Sequence, residues 1–276
     1  MNITATVDSH NAPACELVET YYAYGGSEIR ERSVQRELDL EVCVNDELVM
    51  RLGCSEGYLV ELAVGRLFTE GFIDSADEID HVCLRDSPAR VFVYLKNRSL
   101  SLVPLHPEIE KVPTCCTMNR TLAKSPAGGE PVLRKVPRHP WDPAEVFSVV
   151  QVFEGDSPIH RKTRGTHSCY VACEGEVLYV CEDIGRHNAF DKAIGRALMS
   201  DVDLSECMVF LSGRIPTDMA VKAIRAGVPV LATKATATDR AVELARRYGM
   251  TLVTSANARF IDVLNDPLHN EVRRAV

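Results

Sequence analysis

"CMVFLSGRIPTDMAVKAIRAGVPVLATKATATDRAVELARRYGMTLVT", residues 207–254, alternates short apolar runs with stretches of helical spacing. The runs cover 207–211, 228–232 and 250–254; between them lie 216–226, closed by Gly227, and 239–248, closed by Gly249. Glycine just past a helix end takes the left-handed conformation freely and lets the last carbonyls find donors. Strand and helix in alternation require crossover connections, which are right-handed and pair the strands in parallel. Upstream, a further helix is expected over 187–199, and "SCYVACEGEVLYVCED" (168–183) reads as two strands turning at Glu174 and Gly175. With a helix over about 142–154 before them, these elements make a layered α/β/α domain with a mixed sheet.

The first half is patterned differently. Residues 34–50 (VQRELDLEVCVNDELVM) alternate apolar and polar side chains around Asn45 and Asp46, the pattern of a β-hairpin. A helix follows in SEGYLVELAVGRLFTEG, with Ser55 as its expected N-cap, a stripe of Leu59, Leu62, Ala63 and Leu67, and Gly71 beyond its end. Strands are expected at 79–85 and 90–103, and from 104 to 143 the periodicity gives way to Pro, Gly and basic residues, a linker composition. The expected organisation is a smaller α+β domain at 20–112, a cysteine-bearing mobile loop at 113–140, and the α/β domain at 141–276.

Composition narrows the function. The 276 residues are 46% hydrophobic and 25% charged, ordinary globular values. A net charge of -8 excludes broad binding of nucleic acid, which needs a basic surface. No apolar run approaches the ~20 residues of a membrane span, so a cytoplasmic protein is expected. Ten cysteines lie at 15, 43, 54, 83, 115, 116, 169, 173, 181 and 207. In a reducing compartment they are thiols, and Cys43, Cys83, Cys181 and Cys207 sit in apolar strand-like runs as small core residues. Cys115 and Cys116, in "VPTCCTMNR" (112–120), lie where nothing in the pattern requires burial. Lys111, Arg120 and Lys124 near them favour the thiolate.

Ligands of open α/β sheets bind beyond the carboxyl ends of the strands. Four loops stand there: "EDIGRHNAFDK", "SGRIPTD", "TKATATD" and "SANARF". In the first, helical spacing brings His187 and Asp191 near one face and sets Asn188 and Lys192 side by side, while Arg186 and the first helix amides can take a phosphate. A solvated, well-capped helix start explains the same residues equally well. Ser212, Gly213 and Arg214 make either a phosphate or guanine pocket or a plain strand-to-helix turn. Zinc is not expected. His167, Cys169 and Cys173 fall along one line of a strand and cannot close a tetrahedron, and "PTCCTMN" lacks the second cysteine of P-C-x-x-C, with no H-x-E or C-x-E before it.

Five segments together, "MRLGCSEGYLVELAVGRLFTEGFI", "RGTHSCYV", "CEDIGRHNAFDKAIG", "LSGRIPTDMAVKAIRAGVPVLATKATAT" and "YGMTLVTSANARF", resemble the FdhD/NarQ family of formate dehydrogenase accessory proteins over roughly residues 35–265. The resemblance implies a second domain with a cytidine-deaminase-like fold lacking zinc. It also implies a protein that carries persulfide sulfur from a cysteine desulfurase to a molybdenum cofactor, bis(molybdopterin guanine dinucleotide), before insertion into apo formate dehydrogenase, and that works as a homodimer. GDP or GMP would mimic that client. The family's loop usually reads S-C-G-x-C-G; here one alignment makes Cys116 the carrier with Asn119 in place of the second cysteine, and the other makes Cys115 the carrier with Met118 there. The implied cofactor contacts are the late loop Ser255, Ala256, Asn257, Ala258, Arg259 and Phe260 together with His167, Asp183, Arg186, His187, Asn188, Asp191, Lys192, Ser212, Gly213 and Arg214. Within that set, Asn257 is expected to read the base edge and Arg214 and Arg259 to hold phosphate. Asp183 and Asp191 are expected to orient Arg186 and His187 or to accept ribose and base N–H groups. A chaperone that holds the cofactor without moving sulfur is the alternative, favoured by the missing cysteine; a nucleotide-modifying enzyme lacks the metal ligands.

Overall fold

The computed structural model describes residues 2–4, 13–86, 88–97, 111–112, 133–155 and 157–269, so Cys115 and Cys116 lie outside the described residues. The strands are β1 (Asn2–Thr4), β2 (Ala14–Tyr21), β3 (Ser27–Val34), β4 (Leu38–Val44), β5 (Glu47–Cys54), β6 (Ile79–Asp86), β7 (Ala89–Leu95), β8 (Lys111–Val112), β9 (His167–Cys173), β10 (Glu176–Asp183), β11 (Met208–Leu211), β12 (Val230–Thr233), β13 (Thr251–Thr254) and β14 (Asp262–Asn265). The helices are α1 (Leu59–Thr69), α2 (Pro143–Glu154), α3 (Pro158–Thr163), α4 (Arg186–Met199), α5 (Thr217–Arg225) and α6 (Asp239–Tyr248).

Two mixed sheets organise the chain, in the orders β1-β6-β7-β4-β5-β8 and β10-β9-β11-β12-β13-β14. In the second, β11, β12 and β13 are parallel, and β9, β10 and β14 run antiparallel to their neighbours. Strand alternation divides its side chains between two cores. Cys169, Val171, Val209, Leu211, Leu231 and Leu252 pack beneath α4, α5 and α6, while Tyr170, Ala172, Phe210, Ala232 and Val253 pack against Val146, Val149 and Val150 of α2. Three layers result, as the alternation of residues 207–254 requires.

The first sheet follows the expected hairpin, with β4 and β5 joined at Asn45 and Asp46, both at positive φ. One face of it covers α1. That helix begins three residues later than an N-cap at Ser55 predicts, since its N-cap is Tyr58, at φ 54. Ser55 is instead fully buried, its hydroxyl accepting from Ile184 N at 3.0 Å. β2 and β3, which the sequence reading did not anticipate, pair only with each other among the described residues. Residues of the expected linker are also partly built in: β8 extends the first sheet, and Val136 is buried, donating its N–H to Tyr248 O at 2.9 Å.

The two sheets meet through α1 and α4, which cross at Gly65 and Gly195. A Cβ on Gly65 would stand 1.9 Å from Asp191 O, and one on Gly195 would stand 1.9 Å from Glu61 O. Only glycine permits that approach.

Candidate functional site

Polar groups converge at the edge of the second sheet where β11, β12 and β13 end and β9 begins. Three loops there are tied into one surface. The Thr233 hydroxyl lies 2.6 Å from Gly213 O and 3.0 Å from Leu211 O and accepts from Ala235 N, fastening the loop after β11 to the loop after β12. Ser255 N donates to Ala235 O and Ala256 N to Thr233 O, fastening the loop after β13. Thr233 was not singled out from the sequence. A threonine ending an apolar strand within "TKATATD" carries no local mark of that role.

Four of the expected residues meet directly. Ser212 Oγ accepts from Ser168 N at 2.9 Å and sits 3.5 Å from His167 Nδ1. Gly213 lies against both His167 and Arg186; a Cβ there would come within 3.3 Å of Arg186 Cδ and 3.4 Å of His167 Nδ1. Burial, reinforced by the charge of Arg186, pushes the His167 imidazole below its ordinary range. It is therefore neutral at pH 7 and can accept or donate one hydrogen bond at each ring nitrogen according to tautomer.

His187, the next residue of α4, turns to α5. Its Nε2 lies 2.8 Å from Asp218 Oδ2. Burial pushes the imidazole below its ordinary value against the opposing effect of Asp218. Burial, the largest single influence, would raise Asp218 in turn, but the hydrogen bond and charge of His187, the Met219 N–H and the charge of Arg186 together outweigh it and hold the carboxyl below the usual range. Asp218 is the partner that the sequence reading assigned to Asp183 or Asp191.

Asp183, Asn188, Asp191 and Lys192 do not present themselves to a ligand; all four are buried and joined to protein groups. Asp183 accepts from Ser55 N at 2.9 Å and Gly185 N at 2.8 Å, and its Oδ2 is 2.7 Å from Lys192 Nζ. Asn188 receives Arg66 Nη2 at 2.8 Å and donates to Gly53 O at 2.8 Å. Asp191 meets Arg66 Nε at 2.6 Å, Thr69 Oγ1 at 2.7 Å and Lys222 Nζ at 3.0 Å, while Lys222 also reaches Glu70 at 2.8 Å. Burial alone would raise Asp191, yet Arg66 and Lys222 keep its carboxyl below the usual range. These side chains of the first turns of α4 are therefore not a solvated cap; they hold α4 to α1 and α5. The clue lay outside the motif: Arg66 and Lys222 are cations on otherwise buried helix faces.

The late loop is exposed at Ala258, Arg259 and Phe260, half-buried at Ser255 and Asn257 and buried at Ala256. Asn257 shapes the loop rather than pointing its amide outward: Oδ1 accepts from Arg259 N at 2.9 Å and Phe260 N at 3.3 Å, and Nδ2 donates to Ser255 O at 2.7 Å. Arg214 and Arg259 are exposed, and no ion pair engages either guanidinium among the described residues. Lys234 stands nearby, 5.2 Å from the Phe153 ring centre. Arg214, Lys234 and Arg259 thus stand on the three fastened loops, at the strand ends that also carry Ser212, Gly213, His167 and Arg186, a set of groups suited to an anionic ligand.

Thiols among the described residues are mostly in the core. Burial pushes Cys54 and Cys207 up to about 12 and Cys181 up to about 11, and Cys169 well above its ordinary value. Cys83 is half-buried rather than core, and Cys15 is exposed. Among the described residues no three His, Cys, Asp or Glu side chains are grouped to hold a metal, and no helix is long and apolar enough to cross a membrane.

The fold class is mixed α/β, and it is shared with a known structure. A protein from Desulfotalea psychrophila described as a formate dehydrogenase accessory protein superposes with a TM-score of 0.72 at 24% identity, over 93% of this chain and 98% of that one. The FdhD/NarQ family model matches residues 35–269, and the chain belongs to that family. Relatives include the sulfur carrier protein FdhD of Shouchella clausii, 25% identical over 87% of this chain and 90% of its own length. The sulfur carrier protein FdhD of Halalkalibacterium halodurans is 28% identical over 80% and 82%, and that of Methanothermobacter thermautotrophicus 26% over 85% and 90%.

Proposed function

We propose that this chain is a cytoplasmic sulfur carrier in the maturation of formate dehydrogenase, moving persulfide sulfur from a cysteine desulfurase to a molybdenum cofactor bound at the strand-end surface. The observation that carries this reading is the family match over residues 35–269, which spans both the strand-end loops and the Cys115-Cys116 segment. The relatives' name, sulfur carrier protein, is the activity taken over here.

The chemistry asks for a thiolate. The carrier thiolate attacks the outer sulfur of the desulfurase persulfide, the S–S bond to the desulfurase cysteine breaks, and that cysteine leaves as thiolate; the step is redox-neutral. Thiols raised to 11 or above by burial, such as Cys54, Cys181 and Cys207, are protonated at pH 7 and unsuited to it. Cys115 and Cys116, followed by Arg120 and Lys124, are the better carriers by sequence, and the family alignment favours Cys116. The guanine nucleotide part of the client, a bis(molybdopterin guanine dinucleotide), suits Arg214, Lys234 and Arg259 through its phosphates, together with His167, Arg186, Ser212 and Gly213. GDP or GMP is the simplest mimic.

A second reading, a chaperone that holds the cofactor without transferring sulfur, is favoured by one observation: Asn119 or Met118 stands where the second cysteine of the family's loop belongs. The two readings separate on one measurement. After incubation with a cysteine desulfurase and cysteine, peptide mass spectrometry of a carrier finds a gain of ~32 Da, one sulfur atom, on the 115–116 peptide. Cys116→Ala is expected to abolish that gain and formate dehydrogenase maturation, with Cys115→Ala milder. Full maturation by Cys116→Ala overturns the assignment of that carrier, and maturation without any added sulfur on either cysteine supports the chaperone.

A further inference from the structure

Two cysteines outside the strand-end site face each other across the ladder of β9 and β11. Met208 pairs with Ala172 and Leu211 with Cys169, so the same register carried one residue back sets Cys207 opposite Cys173. Cys207 is extended, φ -114 and ψ 153, and the ladder geometry runs on through it. Ser212 N donates to Ser168 O at 3.0 Å, which makes that opposing pair a hydrogen-bonded one. Alternation along an antiparallel ladder then makes Cys207 and Cys173 a non-hydrogen-bonded pair, and Cys207 N turns away to Leu204 O at 3.3 Å. Opposed residues of that kind have Cα atoms about 4.5 Å apart, inside the roughly 4.4–6.8 Å that a disulfide spans. The side chains converge as well. Cys173 Sγ lies 3.4 Å from Glu206 O and Cys207 Sγ 3.3 Å from Asp203 O, two carbonyls of one short turn, and the thiols are in hydrogen-bonding contact with each other.

Access distinguishes the two thiols. Among the described residues Cys173 is half-buried and Cys207 is 1% exposed, so a reagent meets Cys173 first. Cys169 and Cys181 make an instructive contrast: they too lie opposite each other, in β9 and β10, but both are fully buried and closed to reagents. The surroundings of the accessible pair are acidic. Glu174, Glu206 and Glu145 stand near Cys173, and Asp203 and Glu206 near Cys207, with the His139 imidazole 3.3 Å from Glu206 Oε2. Such a field repels an anionic reagent and favours a cationic one.

We propose that Cys173 and Cys207 are a redox-active thiol pair that closes to a disulfide on reaction with cationic low-molecular-weight disulfides. The Cys173 thiolate attacks one sulfur of the reagent, the reagent's S–S bond breaks, and one thiolate leaves and takes up a proton. Cys207 then gives up its proton and attacks Cys173 Sγ in the mixed disulfide, expelling the second reagent thiolate. Two protein thiols are oxidised and one reagent disulfide is reduced to two thiols, so atoms and electrons balance. Burial keeps Cys207 protonated at pH 7 and slow against a reagent in solution, but beside the mixed disulfide its attack is intramolecular. The pair stands at the opposite end of β11 from Ser212 and Arg214, and its closure requires neither the strand-end surface nor Cys115 and Cys116.

The full chain, treated with cystamine and digested without reduction, tests this by peptide mass spectrometry. A disulfide joining Cys173 to Cys207 is expected, while Cys169 and Cys181 stay as thiols. Exposed Cys15, by taking up cysteamine, shows that the reagent is active. Cys207→Ala should stop at the mixed disulfide on Cys173, and Cys173→Ser should leave Cys207 unmodified. Glutathione disulfide, which is anionic, should close the pair about threefold more slowly or worse. Closing a loop of about 35 residues should raise the unfolding midpoint by roughly 5–10 °C, reversed by dithiothreitol and absent from both variants. Should either variant fail to fold, the unchanged protein decides the matter alone. Cys15 modified with no Cys173–Cys207 link, a link from either residue to another cysteine, or Cys169 and Cys181 joined at the same rate each overturns the proposal. So does a link that leaves the midpoint unchanged, or glutathione disulfide acting as fast as cystamine.

Discussion

Gly195→Ala sets two effects of opposite sign against each other. In an isolated helix the change is favourable by ~1 kcal/mol, because alanine loses less backbone freedom. In α4 the new methyl group would lie 1.9 Å from Glu61 O and 2.8 Å from Gly65 N, both backbone atoms of α1 that no rotamer change can move. Reaching an ordinary separation of ~3.4 Å requires the helices to part by about 1.5 Å. That shift pulls on the contacts bridging the two helices, Arg66 to Asn188 at 2.8 Å, Arg66 to Asp191 at 2.6 Å and Thr69 to Asp191 at 2.7 Å. Overpacking typically costs about 1–3 kcal/mol, and weakening a buried ion pair adds up to about 3–5 kcal/mol when a partner is lost outright. Partial loss, less the propensity gain, leaves a net destabilisation of roughly 3 kcal/mol, or about 6–12 °C in the unfolding midpoint for a chain of this size. Calorimetry and urea unfolding of the purified variant measure it. Gly65→Ala added to Gly195→Ala should cost less than it does alone, since the helices have already separated. A midpoint unchanged or raised in Gly195→Ala refutes the reasoning, because propensity would then outweigh the crossing.

Stability is expected to fall as the pH is lowered from about 7.5 to 5.5. His187 and His167 have folded values depressed below 6.5 by burial, so the unfolded chain takes up their protons first and gains on the native state as the pH falls through that window. His187→Gln should flatten the dependence there, and an unchanged slope would show that His187 contributes nothing; losses from Asp191 and Asp218, whose folded values are depressed, come lower, below 3.8. Calorimetric titration should find that GDP binds the unchanged protein and that Arg214→Ala weakens it by about 1.5–3 kcal/mol, roughly ten- to a hundredfold. Binding untouched in both Arg214→Ala and Arg259→Ala would remove the strand-end arginines as the site, and ATP binding equally well would remove the preference for guanine.

The strand ends of the second sheet could be located before any coordinates, because alternation of apolar runs with helical stripes is a local property of the chain and parallel pairing then dictates which loops share an edge. Ser212, Gly213 and Arg186 came together there as that logic requires, joined by His167 from the start of β9, which the logic does not place. The ribbon β2–β3 escaped notice although its strands alternate around Gly25 and Gly26, since its exposed apolar residues dilute the pattern of a half-buried hairpin. Ser55 was read as an N-cap from its position alone, and the chain uses it 128 residues away to hold Asp183.

Charge is where local reading and structure part. The sequence alone determined the order of strands and helices from 187 to 254, the layered architecture of residues 141–269, and the strand-end edge that carries Arg214, because each depends on side-chain period or on residues adjacent in the chain. Only the tertiary structure decided that Asp183, Asn188, Asp191 and Lys192 face inward, that Asp218 rather than either of the earlier aspartates holds His187, and that Asn257 builds its own loop. A carboxylate such as Asp191, in the first turns of α4, looks the same in sequence whether it meets a ligand or a buried cation. The difference is made by Arg66 and Lys222, which reach it from other helices only after two glycines have let α1 and α4 come into contact.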